Sequence, residues 1–190
     1  MSIVLASASP RRRELLEMLN VKDLRIIPAE GREILTPGLP PDRQAGLISA
    51  GKAREVAALC GAGDIIIAAD TIVVTGGRIF GKPGDRKEAV YMLRELSGKT
   101  HTVFTGVTVI KDTLELTRVE ATDVKFRTLG RREIENYVGS GDPADKAGAY
   151  GIQGAGALFV ESINGDFYNV MGLPLCRLGQ MLKKLGVDLV

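Results

Sequence analysis

The chain has 190 residues, 45% of them hydrophobic and 25% charged, and a net charge of +2. This length suits one domain, residues 1–190, with a sizeable core, and the composition is that of an ordinary globular protein. So small a net charge argues against nucleic acid as the main partner, and the lack of Trp with only 5% aromatics argues against a base-stacking platform.

A short apolar strand, Ile3 to Ala6, runs into Ser7-Ala8-Ser9, Pro10 and three arginines. Ser9 suits a helix N-cap and Pro10 the first helical position. Leu15, Leu16 and Leu19 share a face, so the helix reaches about Asn20. Arginines at the positive end of a helix are poorly placed unless an anion, most plausibly a phosphate, sits there. A solvated basic face is the other reading. Leu24 to Ile27 reads as a strand, and Thr36 to Pro41 as a Pro-rich loop. Pro41-Asp42 opens a helix to about Cys60 whose apolar face uses Ala45, Ile48, Val56 and Leu59. Gly46 and Gly51 weaken that helix, and close packing or a ligand would explain them. Asp64 to Val74 begins as a strand buried on both faces, and Gly76-Gly77 turns the chain. Asp85 and Glu88 form a capping box for a helix with Ala89, Leu93 and Leu96 inward. Thr100–Ile110 and Leu114–Phe126 are β-branched runs joined as a hairpin. Ile134, Tyr137 and Val138 mark another helix, a Gly-rich stretch runs from Gly139 to Gly156, and a strand pair is expected over Ala157–Val170. Pro174 opens a last helix packed through Leu175, Leu178, Leu182 and Leu185. Hairpins mixed with crossovers imply an α/β fold, with α+β as the alternative, around a mixed, strongly twisted sheet.

No apolar run reaches membrane-spanning length, and Ile3–Ala6 is too short for the core of a signal peptide. Cys60 and Cys176 belong to no metal or redox motif and read as reduced core thiols. A cytoplasmic protein with no membrane partner is expected.

Asp70 is the sharpest single residue. It ends the apolar run Ile65–Ala69, at or near a strand end, and a carboxylate buried there needs a cation, a metal or a hydrogen-bond partner. A structural pairing with Lys or Arg is the alternative. Gly81-Lys82-Pro83 resembles a phosphate-contacting turn without the spacing of a P-loop, so a plain turn lysine is the stronger reading of it alone. Lys52 reads as a surface lysine, and Glu33 by itself says little. Asp145–Gly154 is small, polar and Gly-rich, as close backbone approach to a planar ligand requires, and Gln153 offers both donor and acceptor to a base edge. The lone His101 has no catalytic neighbour and reads as structural. No nucleophile triad and no zinc spacing is present.

Together, Leu5-Ala-Ser-Ala-Ser-Pro-Arg-Arg12, Ala69-Asp-Thr71, Gly81-Lys-Pro83, Met92–Gly98, Thr105-Gly-Val107, Asp145–Gly154 and Gly172-Leu-Pro174 resemble the Maf family. These are nucleoside triphosphate pyrophosphatases, also described as septum-formation inhibitors, with a Maf/ITPase-like fold. The resemblance implies cleavage between the α and β phosphates of a nucleotide with a divalent metal, Mg²⁺ or Mn²⁺. It implies Asp70 as proton acceptor, Ser9, Arg12, Lys52 and Lys82 as phosphate-handling residues, and Glu33 as a catalytic or metal carboxylate, with Asp70 the other metal ligand. Arg11, Thr71 and Gln153 resemble the branch acting on dTTP and UTP, where the 7-methyl-GTP branch carries an aromatic residue, Gln and Glu. The acidic pair usual before the Pro-rich loop is Arg32-Glu33 here, leaving one carboxylate.

The implied chemistry fits the residues: phosphoryl transfer asks mainly for positioning and charge neutralisation, and Mg²⁺ prefers oxygen ligands and retained waters. The implied partner is a small nucleotide, modified pyrimidines included, and a homodimer is admitted. A non-catalytic nucleotide- or DNA-binding regulator of cell division is the alternative, motivated by the Arg-rich turn and opposed by Asp70 and the modest charge.

Overall fold

Three apolar runs build the start of the sheet. Ile3–Leu5 (β1) lies in parallel between Leu24–Ile26 (β2) and Ile65–Thr75 (β3), with Ile3 opposite both Leu24 and Ile65. Parallel neighbours need long crossovers, supplied here by Pro10–Met18 (α1) and Pro41–Ala57 (α2). Arg78–Phe80 (β4) folds back antiparallel on β3. Thr100–Lys111 (β5), Leu114–Phe126 (β6) and Val160–Asn164 (β7) complete a seven-stranded mixed sheet of order β2-β1-β3-β5-β6-β7, with β4 on β3. The remaining helices are Arg86–Leu96 (α3), Arg131–Gly139 (α4), Phe167–Met171 (α5) and Leu175–Lys184 (α6). The computed structural model describes residues 2–21, 23–31 and 33–189, so Arg32 of the Arg32-Glu33 pair lies outside the described residues.

The α/β class is as expected, and two compact units make it up. One takes in the chain up to Asp70, Thr105–Glu120 and the stretch from Gly172 onward. Its core joins Val4 and Ala6 of the first strand region, Ala53 and Val56 of α2, and Ile66, Ala68 and Ile110. Each of these apolar side chains contributes on the order of 1–3 kcal/mol by leaving water, less for alanine. The buried face of α2 is Gln44, Ala45, Gly46, Ser49, Ala50, Ala53 and Val56. Small side chains let the helix backbone come close: a Cβ on Gly106 would lie 2.2 Å from the Ala45 carbonyl oxygen, and one on Gly46 would lie 3.2 Å from Val119. Gly46 is therefore a packing glycine, whereas Gly51 faces open space. The apolar-face expectation for α2 is corrected here. The helix ends at Ala57, Leu59 is 69% exposed and Ile48 only half-buried, because close approach selects small residues over the leucine and isoleucine.

The other unit is residues Thr71–Phe104 and Ala121–Met171. Asp85 caps α3 by accepting from the Glu88 N–H at 2.8 Å, while Glu88 reaches back to the Gly84 N–H rather than to Asp85. Ile134, Tyr137 and Val138 are buried on α4 as expected. The strand pair expected over Ala157–Val170 is instead a 3-10 turn (Gly154–Phe159), one strand, β7, and the short helix α5. Gly165, at φ 133°, breaks the run, and Asp166 accepts the Tyr168 N–H to start the helix. Two further expectations are corrected: α1 stops at Met18, short of Asn20, and Cys176 is exposed on α6 while Cys60 is half-buried.

His101 is structural, as expected. It is 2% exposed, sits edge-on to Phe126 and Tyr150, and its Nε2 is 2.8 Å from the Tyr150 hydroxyl. Burial pushes its pKa down to about 4 against the opposing field of Asp123, and burial pushes the Tyr150 phenol up. Unfolded chains take up this proton near pH 6.5, the native one only near 4. Stability is thus full above pH 6.5 and falls as pH drops toward 4, by up to about 3 kcal/mol from this group. His101 is the sole histidine, so its ring resonance is unique in a proton NMR titration. It should stay in the neutral position from pH 7.5 to 5, and a midpoint near 6.5 would contradict the buried neutral state.

Candidate active site

The turn from β1 into α1 is built by side chains as much as by backbone. Ser9 holds the N-cap position and Pro10 the first helical one, as expected, but the Ser9 hydroxyl makes no cap bond. Instead the Ser7 hydroxyl, 8% exposed, accepts from the Ser9 N–H at 3.2 Å and from Arg12 Nη1 at 3.1 Å. Arg12 Nε donates to the carbonyl of Gly172 at 2.8 Å, at the other end of the chain. Desolvation holds the Arg12 guanidinium below the usual arginine value, Asp70 and Glu33 pull it back up, and Arg11 adds a smaller downward push. It remains a cation throughout the physiological range. Arg13 pairs with Glu17, both exposed, which is the solvated half of the two readings of the basic turn.

Asp70 lies in the middle of β3, not at its end, because the strand continues through Thr75 to reach the Gly76-Gly77 turn. It closes the buried run Ile65–Ala69 and is itself 5% exposed. Its partner is Lys52 of α2, whose Nζ donates to Asp70 Oδ1 at 2.7 Å and to Glu33 Oε1 at 2.6 Å. The Lys52 and Asp70 side chains are 14% and 7% exposed, and that of Glu33 48%. Lys52 is therefore not the surface lysine that its helical position predicts. Charge-assisted bonds of this length are strong, but desolvating both ions offsets most of the gain. Four charged groups singled out in the sequence, Arg12, Glu33, Lys52 and Asp70, thus act on one another. Ser7 and the Gly172 carbonyl, not singled out, complete the arrangement. The only signal for them is that each lies in a motif segment, Leu5–Arg12 and Gly172–Pro174.

The other unit carries Thr71, Lys82 and Gln153. Thr71 follows Asp70 and points to the opposite face of the strand by the alternation of side chains. Lys82 is exposed in the turn after β4, and the preceding Gly81 carbonyl accepts the Gly148 N–H at 3.0 Å, tying that turn to the Gly-rich segment. Gln153 is exposed just before the 3-10 turn. The Gly-rich segment is ordered by its own contacts. Tyr137 donates to Asp142 at 2.6 Å and accepts from the Gly151 N–H at 3.1 Å, and Lys146 bridges Asp142 and Asp145. A Cβ on Gly148 would press on Val73 at 3.0 Å and one on Gly156 on the Gly151 carbonyl at 2.3 Å. Packing within the protein, not approach to a ligand, accounts for those glycines.

Among the described residues no three His, Cys, Asp or Glu side chains gather as a metal site. The two carboxylates on Lys52 are hard oxygen donors of the kind Mg²⁺ and Mn²⁺ take when phosphate and water complete the shell.

Residues 2–185 match the family model described as Maf-like protein. The chain belongs to the Maf family. This Maf chain is 48% identical over 193 residues to a dTTP/UTP pyrophosphatase of Caldicellulosiruptor saccharolyticus, with 99% of this chain and 96% of that protein covered. It is 43% identical over 185 residues to a dTTP/UTP pyrophosphatase of Bacillus pumilus, with 97% of each covered. Among solved structures, a HAM1 protein from Coxiella burnetii aligns with a TM-score of 0.54 over 97% of this chain and 99% of that one at 17% identity, a likeness of fold. No helix among the described residues of this Maf protein is long and apolar enough to cross a membrane.

Removing one member of a buried ion pair strands the other, whereas removing both does not. Lys52→Met should therefore cost about 3 kcal/mol or more in urea denaturation, and Lys52→Met/Asp70→Asn less than the sum of the single changes by about 1–3 kcal/mol. Additive costs would show that the two groups do not depend on each other.

Proposed function

We propose that this chain is a nucleoside triphosphate pyrophosphatase acting on dTTP and UTP. It would hydrolyse the α–β anhydride to the nucleoside monophosphate and pyrophosphate. The observation that carries this reading is the buried Asp70–Lys52 pair with Glu33 on the same ammonium, in a Maf chain whose relatives bear the name dTTP/UTP pyrophosphatase.

In this reading Lys52 orients Asp70 through Oδ1, and Oδ2 accepts the proton of the attacking water. The water oxygen bonds to one phosphorus of the anhydride as its bond to the bridging oxygen breaks, and the electron pair leaves on that oxygen with the other product. A base held within hydrogen-bond reach of its water contributes about 10²–10⁴ in rate. Arg12, fixed by Ser7 and Gly172, is assigned to the phosphates. Ser9 and Lys82 are assigned to the phosphates, and Arg11, Thr71 and Gln153 to substrate choice, on the strength of their motifs alone. Glu33 and Asp70 would hold a divalent cation, which neutralises phosphate charge when bound. The family match runs through both units, which supports reading residues 1–190 as one catalytic domain. We assign the activity to the cytoplasm, where nucleoside triphosphates are made and used. The regulator without turnover is not favoured, since a buried ionised carboxylate is a costly feature for a surface that only binds anions.

A nucleotide panel with Mg²⁺ or Mn²⁺ should release pyrophosphate fastest from dTTP and UTP, with 5-methyl-UTP and pseudo-UTP separating canonical from modified substrates by kcat/KM. Asp70→Asn should lower kcat by about 10² or more while nucleotide binding persists. Full activity in that variant would remove Asp70 as base, and no pyrophosphate from folded wild type would end the proposal.

A further inference from the structure

Glu33 reaches Lys52 from the irregular stretch between β2 and α2. The apolar side chains next to Glu33 are not buried: Ile34 is 70% and Leu35 46% exposed. Two side chains of α2 hold the stretch, one on each side of Glu33. On the near side Glu55 accepts the Glu30 N–H at 2.7 Å through Oε1 and the Gly31 N–H at 3.2 and 3.1 Å through Oε1 and Oε2. On the far side Gln44, 2% exposed, accepts the Thr36 N–H at 2.9 Å and donates to the Thr36 carbonyl at 2.5 Å and the Leu39 carbonyl at 3.3 Å. Gly31 is matched to the near clamp, since a Cβ there would lie 2.6 Å from Glu55 Oε2. Lys52 and Glu55 stand three residues apart, one turn of the same helix. One rigid helix thus supplies both the ammonium that Glu33 meets and the carboxylate that fixes the backbone just before it.

We propose that Glu55 is a positioning residue of the pyrophosphatase site, acting through Glu33. The inference rests on the function proposed above. A carboxylate accepting backbone N–H groups makes charge-assisted bonds, stronger than those of a neutral amide. Without it the backbone at 30–31 loses the tether on the near side of Glu33, while the Lys52 ammonium contact and the distant Gln44 clamp remain. A displacement of about 1 Å of a reacting-site group costs up to about 10² in rate.

The test compares dTTP hydrolysis and amide hydrogen exchange in wild type and variants. Glu55→Ala should lower kcat by about 10-fold to 100-fold with a smaller change in KM, and Glu55→Gln, which keeps an accepting oxygen, should recover most of the loss. Because Glu55 acts through Glu33, Glu33→Gln/Glu55→Ala should be no slower than Glu33→Gln alone, which a general loss of structure would not produce. Exchange at the Glu30 and Gly31 amides should accelerate in Glu55→Ala while that of α2 stays unchanged. Gly31→Ala, which displaces the Glu55 carboxylate from the other side, should reproduce both effects if Glu55→Ala folds poorly. Unchanged kcat in Glu55→Ala, a double variant slower than Glu33→Gln by the full Glu55 factor, or unchanged exchange at residues 30–31 would each overturn the proposal. Wild type that releases no pyrophosphate would instead remove the functional reading, and exchange would still decide the clamp.

Discussion

A carboxylate in the middle of a buried strand must be given a cation, and much of the first unit follows from how that is done. Asp70 sits at the end of five buried aliphatic residues, and Lys52 of α2 donates to it. A lysine so little exposed is expensive to place, and its pairing with Asp70 is a weak source of stability. The packing of α2 fits that demand. Between Gln44 and Val56 its inward face is alanine, glycine and serine, so the helix lies close against Gly106, and a Cβ on Gly46 would crowd Val119. The Ser49 hydroxyl, one turn before Lys52, is spent inside the protein on the Gly46 carbonyl and Thr108. Larger side chains on that face would lift the helix and carry Lys52 away from the strand.

The same economy of charge governs the first turn of α1. An arginine at the positive end of a helix is disfavoured by the dipole. Arg12 escapes the penalty by turning inward to the Ser7 hydroxyl and the Gly172 carbonyl, where Asp70 and Glu33 supply negative field. Arg13 has no such surroundings and spends its charge on Glu17 in solvent. Neighbouring residues of one type therefore differ entirely in what they do, and the difference lies in which face of the helix each occupies. In the other unit, His101 shows the opposite solution to buried charge: desolvation outweighs the field of Asp123, and the ring stays neutral against Tyr150.

Elements governed by neighbouring residues were legible from the chain. Asp85 and Glu88 announce α3, the β-branched runs around Lys111-Asp112-Thr113 announce β5 and β6, and Pro10 after Ser9 announces α1. Elements governed by distant contacts were not. Leu59 looks like a core residue of α2 and is exposed, since the helix ends at Ala57. The apolar residues from Ala157 to Val170 look like two strands, but only Val160–Asn164 finds a partner, in β6, before Gly165 turns the chain. Cys176 looks like a core thiol and faces solvent from α6.

The candidate site divides in the same way. Asp70 and Arg12 stand out by residue type and motif, because a carboxylate closing an apolar run and arginines on a helix start conflict with their local surroundings, whereas Glu33 by itself says little and enters only through the family resemblance. The sequence by itself therefore determined the fold class, the family resemblance and the identity of the charged residues. Which of them meet, and at what depth, only the tertiary structure decided: that Lys52 is buried on Asp70, that Glu33 shares its ammonium, and that Glu55 and Gln44 hold the intervening chain. Charge and propensity are properties of single residues and short windows. Pairing and desolvation depend on groups brought together from far along the chain, and those arise only when the helix packs on the sheet.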